Sequence, residues 1–146
     1  MIKDSISVTG TPTFTLTDGK GAVKSHFQIK NLVVTVGKNL IAEILQNPAA
    51  IRPSRMALGT GTAAANSGNS TLGAELARAV LSSTSVSLNT VTYRTVFIPG
   101  VGTGAITEAG ILNAATGGVL LARCVFPVIN KEAPDTLTVA WDVTIN

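Results

Sequence analysis

The residues of this chain with the spacing for chemistry are glycines. Gly59-Thr60-Gly61-Thr62-Ala63-Ala64 fits G-x-G-x-x-A, a pattern that lets backbone approach the pyrophosphate of a dinucleotide. That chemistry needs a helix directly after the loop, so that its N-terminal amides and dipole face the anion. Here "AAANSGNS", Ala63 to Ser70, follows instead, and the nearest helical segment, about Thr71 to Ala77, is too short and too late. Gly100-Val101-Gly102-Thr103-Gly104-Ala105 repeats the pattern but leads into a β-like segment, and no P-loop lysine follows either cluster. Both read as corners of the chain.

Other reactive side chains are few. His26, the one histidine, shares the polar face of its segment with Lys24, Gln28 and Lys30, the setting of a solvated residue rather than a general base. One histidine and one cysteine do not make a usual zinc site, and no acidic cluster suggests calcium or a glycosidase pair. Cys124 lies between Leu120 and Phe126, where a thiol is expected to be buried and inert. Glu108, in the small and apolar context "GAITEAGIL", is expected to be a buried carboxylate paired with Arg94 or Arg123. No cofactor, metal or catalytic residue is expected.

The elements that carry these residues are strands. From Thr136 to Ile145, Leu137, Val139, Trp141, Val143 and Ile145 alternate with polar or small residues, the period of a half-buried strand. Phe14 and Leu16 alternate with threonines up to the turn "DGKG", Asp18 to Gly21, and a partner strand returns through Val23, Phe27 and Ile29. After Gly37 the period changes: Leu40, Ile41, Ile44 and Leu45 fall at helical spacing, and Asn47-Pro48 ends a short helix at about 38–46. A short strand at Met56 to Leu58 follows an irregular link, and "TLGAEL" is expected to form one helical turn. "RAVLSSTSVSLNTVTYRTVFIPG" reads as a hairpin turning near Leu88-Asn89-Thr90. "AITEAGILNA" and "VLLARCVFPVI" read as two further strands around the reversal "ATGG". Eight to ten strands with short connections and one helix predict an all-β, antiparallel β-sandwich or jelly-roll-like fold in a single domain, 1–146.

Composition narrows the function. Only 13% of residues are charged while 45% are hydrophobic, and mean hydropathy is +0.39. A surface this poor in charge is expected to be covered in part by other protein chains. The net charge of +3 comes from basic residues scattered from Lys3 to Lys131, which gives no footprint for nucleic acid. The single cysteine favours synthesis in a reducing cytoplasm. No apolar run reaches the roughly eighteen residues that span a bilayer, and "MIKDSISVTG" has no hydrophobic signal core.

Five segments taken in order, "NLVVTVGKNLIA", "MALGTGTAAA", "ELARAVLSS", "GTGAITEAGILNAATGGVLLARCVFPVINK" and "DTLTVAWDVTIN", resemble a family of small virion structural proteins of tailed bacteriophages. "LQNPAAIRPSR", Leu45 to Arg55, departs from it, being longer and richer in proline. The resemblance implies a place in the virion, as capsid decoration or cement or as a tail-fibre, collar or neck component, and implies no catalytic residue. The leading expectation is a cement protein on the capsid surface, made in the host bacterial cytoplasm. It would be a homotrimer bound at junctions of the major capsid protein, with no nucleic-acid or membrane partner. A carbohydrate-binding β-sandwich is the reading from another class. Residues 1–11 are expected to form an N-terminal arm, and the expected contact residues are Ile2, Lys3, Asp4 and Ile6 in the arm with Arg52 and Arg55.

Overall fold

A computed structural model describes residues 4–146. Two five-stranded antiparallel sheets pack face to face as an all-β sandwich. Among the described residues ten strands follow one another with one helix: β1 Val8–Thr17, β2 Val23–Gln28, β3 Leu32–Val33, α1 Thr35–Gln46, β4 Arg55–Gly59, β5 Glu75–Val80, β6 Ser83–Ser87, β7 Thr90–Phe97, β8 Gly104–Leu112, β9 Leu120–Lys131 and β10 Thr136–Ile145. The first sheet has the order β2-β1-β10-β7-β6 and the second β3-β9-β8-β4-β5.

Alternation in β1 and β10 fixes which faces meet. Phe14 and Leu16 point inward with Leu137, Val139, Trp141 and Val143, and across from them lie Met56, Leu58, Ile106, Ile111, Cys124 and Phe126. Phe14 packs on Phe27 and Phe126 with ring centroids 5.1 and 4.6 Å away, distances at which aromatic pairs attract. The "DGKG" turn closes as its chemistry requires: Asp18 accepts hydrogen bonds from the amides of Lys20 and Ala22, and Gly21 takes a φ of 86°.

Helix α1 begins three residues earlier than its apolar period predicts. Val34 at its N-cap gives no side-chain hydrogen bond, so nothing local marks the start. The Thr35 amide is satisfied from a distance, by the Ser67 carbonyl at 2.9 Å. Gly37 rests directly on the backbone of Leu121 in β9, where a Cβ would collide with the carbonyl. The helix then crosses one end of the sandwich with Ile41 against the core.

Two expectations are corrected. "TLGAEL" forms no helical turn, because Glu75 onward belongs to β5, paired with β4 from Arg55↔Val80 to Gly59↔Glu75. The gain from pairing β4 on both sides outweighs the local helical preference of Leu, Ala and Glu. An arm over the whole of 1–11 is also not what the described residues show. Val8 to Thr11 are strand residues opposite Ile145 to Asp142, and Ser7 extends that ladder by exchanging backbone hydrogen bonds with Asn146.

The Gly37 contact sets up a reversal of helix propensity. Alanine is the better helix former by about 1 kcal/mol, yet Gly37→Ala is expected to lower stability by about 1–3 kcal/mol, since β9 must move. Urea unfolding of the two proteins checks it, and a more stable variant would contradict the contact.

Candidate functional site

The glycine loop encloses an anion, and the anion belongs to the protein. Glu108 on β8 and Arg123 on β9 project from the face of their sheet that points away from the central core, at the diagonal positions left by the pairs Glu108↔Val125 and Gly110↔Arg123. The segment between β4 and β5 folds over them. Glu108 Oε1 accepts from the amides of Gly61 at 2.9 Å and Ala74 at 2.7 Å, and Oε2 from the amide of Gly73 at 2.8 Å. Arg123 adds Nε at 2.9 Å and Nη2 at 2.8 Å to Oε2. The guanidinium also donates to Asn69 Oδ1 at 3.0 Å and the Ala63 carbonyl at 2.9 Å. One carboxylate thus holds both ends of the 60–74 segment while its arginine holds the middle.

Glycine is required here for approach. A Cβ on Gly59 would lie 2.5 Å from the Ala74 carbonyl and from Glu108 Oε1, and one on Gly61 2.5 Å from the same carboxylate oxygen. Thr107 donates to the Gly61 carbonyl at 2.8 Å and fixes its plane. Beside this polar centre Leu72 covers a small second core of Val34, Ala57, Leu112 and Leu120. Burial by itself would raise the Glu108 pKa, but the amides of Ala74 and Gly73, the Arg123 side chain and the Gly61 amide outweigh it. They hold the carboxyl below the usual carboxylate range. Its oxygens are taken by five donors and it is buried, so it has no face to offer a substrate.

The pairing of Glu108 with Arg123, one of the two partners the sequence left open, excludes Arg94, which is exposed on β7 in the other sheet. His26 is exposed and bonds Thr15 Oγ1 through Nδ1 at 2.8 Å. Cys124 is buried, and burial pushes its thiol pKa far up, so it is a poor nucleophile. A second polar cluster was not legible in the sequence. Lys131 is buried and donates to the carbonyls of Asp135 at 2.7 Å and Ile98 at 3.2 Å, and burial lowers its pKa. The hydrogen bond from Lys24 at 2.7 Å, followed by the Glu132 amide, lowers the pKa of Asp135. These bonds tie the turn between β9 and β10 to β2. Among the described residues no group of three His, Cys, Asp or Glu side chains is placed to hold a metal, and no helix is long and apolar enough to cross a membrane.

One groove that the fold leaves open is strongly apolar, whereas the hollows beside Asn66 and Asn69 and beside Lys30 and Asn31 have mixed, partly polar linings. At the end closed by α1, Ile41, Ile44 and Leu45 face Val8, Val91, Tyr93, Val143 and Ile145 across a groove floored by Leu121. The groove continues on one side past Ile6 and Lys38, and on the other past Arg52, Pro53, Thr84 and Val86. Leu45 at the helix end is 83% exposed and Ile6 75%. Of the expected contact residues, the structure brings Ile6 and Arg52 to this face. Asp4 is exposed, whereas Arg55 is half-buried in β4 with a bond to the Ser54 carbonyl. Ile2 and Lys3 lie outside the described residues. The chain matches no protein-family model, no curated protein and no solved structure with which it was compared.

Glu108→Gln is expected to destabilise the fold by about 3–5 kcal/mol, because it strands a buried guanidinium and presents an amide to amide donors. The sign with pH follows from the lowered carboxyl pKa. The stabilisation is complete above the ordinary glutamate value and is lost as pH falls through the folded one, so the gap between the two proteins is expected to narrow below about pH 4. Denaturant unfolding between neutral and acid pH reads both effects, and a gap that does not change with pH would refute the assignment.

Proposed function

We propose that this chain is a bacteriophage virion structural protein, a capsid decoration or cement protein that binds at junctions of major capsid subunits on the outer shell. The observation that carries the reading is the groove at α1, whose apolar lining of Ile41, Ile44, Leu45, Val91, Tyr93 and Val143 is flanked by exposed Ile6 and Val86 and by the charges of Lys38 and Arg52. Apolar area of this kind left in water costs about 25 cal/mol per Å², so its retention on a surface argues for a partner. The buried charged groups point the same way: Glu108, Arg123, Lys131 and Asp135 are engaged inside the fold rather than converging on a cleft. The sequence resemblance to phage virion proteins supplies the class of partner.

Cementing is then a matter of mass action. A ligand that binds the assembled lattice more tightly than free subunits stabilises the lattice, and several copies acting together multiply modest contacts. Because the contact is apolar, salt is expected to leave it intact.

Counting this polypeptide per particle by quantitative mass spectrometry, with its place in the particle map, tests the proposal. Cement is expected in numbers comparable to the major capsid protein, whereas far fewer copies would move the chain to a tail, collar or neck. Washing particles in molar salt is expected to leave the chain bound, and release by salt alone would overturn an apolar contact.

A further inference from the structure

A sheet edge is a row of unpaired backbone donors and acceptors, and soluble proteins blunt their edges with charge, proline, bulges or short length. Each sheet here has two edges, and three of the four are protected in this way. β2 carries Lys24 and His26 and has an irregular register against β1 between Leu16 and Thr17. β3 is two residues long. β5 carries the ion pair Glu75–Arg78, whose guanidinium also bonds the carbonyls of Ala114 and Gly117. β6, Ser83-Thr84-Ser85-Val86-Ser87, has none of these. All five of its residues are exposed, and no charged residue occurs between Arg78 and Arg94.

The hairpin fixes which groups are free. β6 and β7 are joined by the two-residue turn Leu88-Asn89, with Ser87 opposite Thr90 and Ser85 opposite Thr92. In such a hairpin the residues next to the turn form a hydrogen-bonded pair, and hydrogen-bonded pairs alternate along the strand. Ser83, Ser85 and Ser87 therefore turn their backbone groups to β7, and Thr84 and Val86 turn theirs outward. The side chains of Thr84 and Val86 lie on the groove side, where Val86 is 71% exposed. Next to them Leu88 is held at a φ of 52° with 97% of its surface in water. A leucine in that left-handed region costs about 1–2 kcal/mol, and no packing among the described residues repays it.

We propose that β6 is a self-association edge, at which two copies of this chain pair β6 with β6 antiparallel about a two-fold axis through Ser85. This pairing holds whichever part of a particle the chain joins. The occupant is a second copy because β6 is nearly symmetric about its centre. Thr84 meets Val86 of the second copy and Ser83 meets its Ser87, with no charge opposed to charge. The outward groups of Thr84 and Val86 on the two copies make about four inter-chain backbone hydrogen bonds, and the paired edges form one continuous ten-stranded sheet. Leu88 falls opposite Ser82 of the second copy, and Val86 and Thr84 from both chains extend over the groove at Pro53 and Tyr93. The other three edges are guarded, so among the described residues β6 has no equally open strand to meet in a head-to-tail ring. Closure is therefore by two-fold symmetry, in contrast to the three-fold arrangement expected from the sequence.

The full-length chain tests this in three ways. Light scattering with size exclusion over a dilution series is expected to show reversible conversion between the chain mass of 14.9 kDa and twice that value. Val86→Lys, on an exposed side chain, is expected to raise the dissociation constant by about tenfold or more while circular dichroism stays that of the wild type, because it gives β6 the charged guard the other edges have. Ser85→Cys is expected to cross-link two copies on mild oxidation, since a non-hydrogen-bonded pair sets the Cα atoms about 4.5 Å apart, within disulfide range. Buried Cys124 supplies the control, and the wild type is expected not to cross-link. Any one of four results would overturn the proposal: a monomer at every concentration up to the solubility limit, a trimer, a dimer unaffected by Val86→Lys, or a Ser85→Cys dimer that does not cross-link.

Discussion

A single buried carboxylate organises one whole side of this protein. Glu108 and Arg123 lie on a sheet face that would otherwise be wet, and the 60–74 segment covers that face by satisfying them. Charge burial is expensive, and the pair persists because five donors meet the carboxylate and the guanidinium has acceptors of its own. The consequences travel outward. With the segment pinned, Leu72 covers the small core over β4, β8 and β9, and the Ser67 carbonyl is in position to receive the first amide of α1. That helix, seated on Leu121 through Gly37, closes one end of the sandwich and makes one wall of the apolar groove.

This arrangement also explains why the loop imitates a phosphate cradle. Backbone amides converging on an anion need glycine wherever a Cβ would block approach, whatever the anion is. Gly59 and Gly61 meet that requirement for an internal carboxylate, and the amides of Gly61, Gly73 and Ala74 are consumed by it. The motif is physically meaningful, with its ligand provided by β8 of the same chain. The second cluster is different, because Gly100, Gly102 and Gly104 have positive φ values and turn the chain between β7 and β8.

The sparse charge of the sequence is unevenly distributed in the structure. Glu108, Arg123, Lys131 and Asp135 are buried, and Glu75 with Arg78 guards an edge. None of it falls on β6, while at the α1 end Lys38, Glu43 and Arg52 stay exposed around the apolar groove. β6 is therefore the less defended of the two surfaces, open through its free backbone groups, and the groove is open through the apolar side chains between those charges.

Sequence alone determined the features that depend on near neighbours. Alternation marked β1, β2 and β10, Asp18 and Gly21 marked a turn, and the period of Leu40, Ile41, Ile44 and Leu45 marked the helix, because each is a property of a few consecutive residues. The local context of Glu108 announced a buried acid but left Arg94 and Arg123 equal as partners. Tertiary structure chose Arg123 by placing β7 in one sheet and β8 with β9 in the other. It also converted "TLGAEL" from a helical turn into the start of β5, and moved the start of α1 back to Thr35 through a carbonyl thirty-two residues away at Ser67. Those outcomes rest on bonds between segments distant in sequence, whose free energy exceeds the propensity differences of a few tenths of a kcal/mol that single residues express locally, about 0.7 at most for ordinary ones.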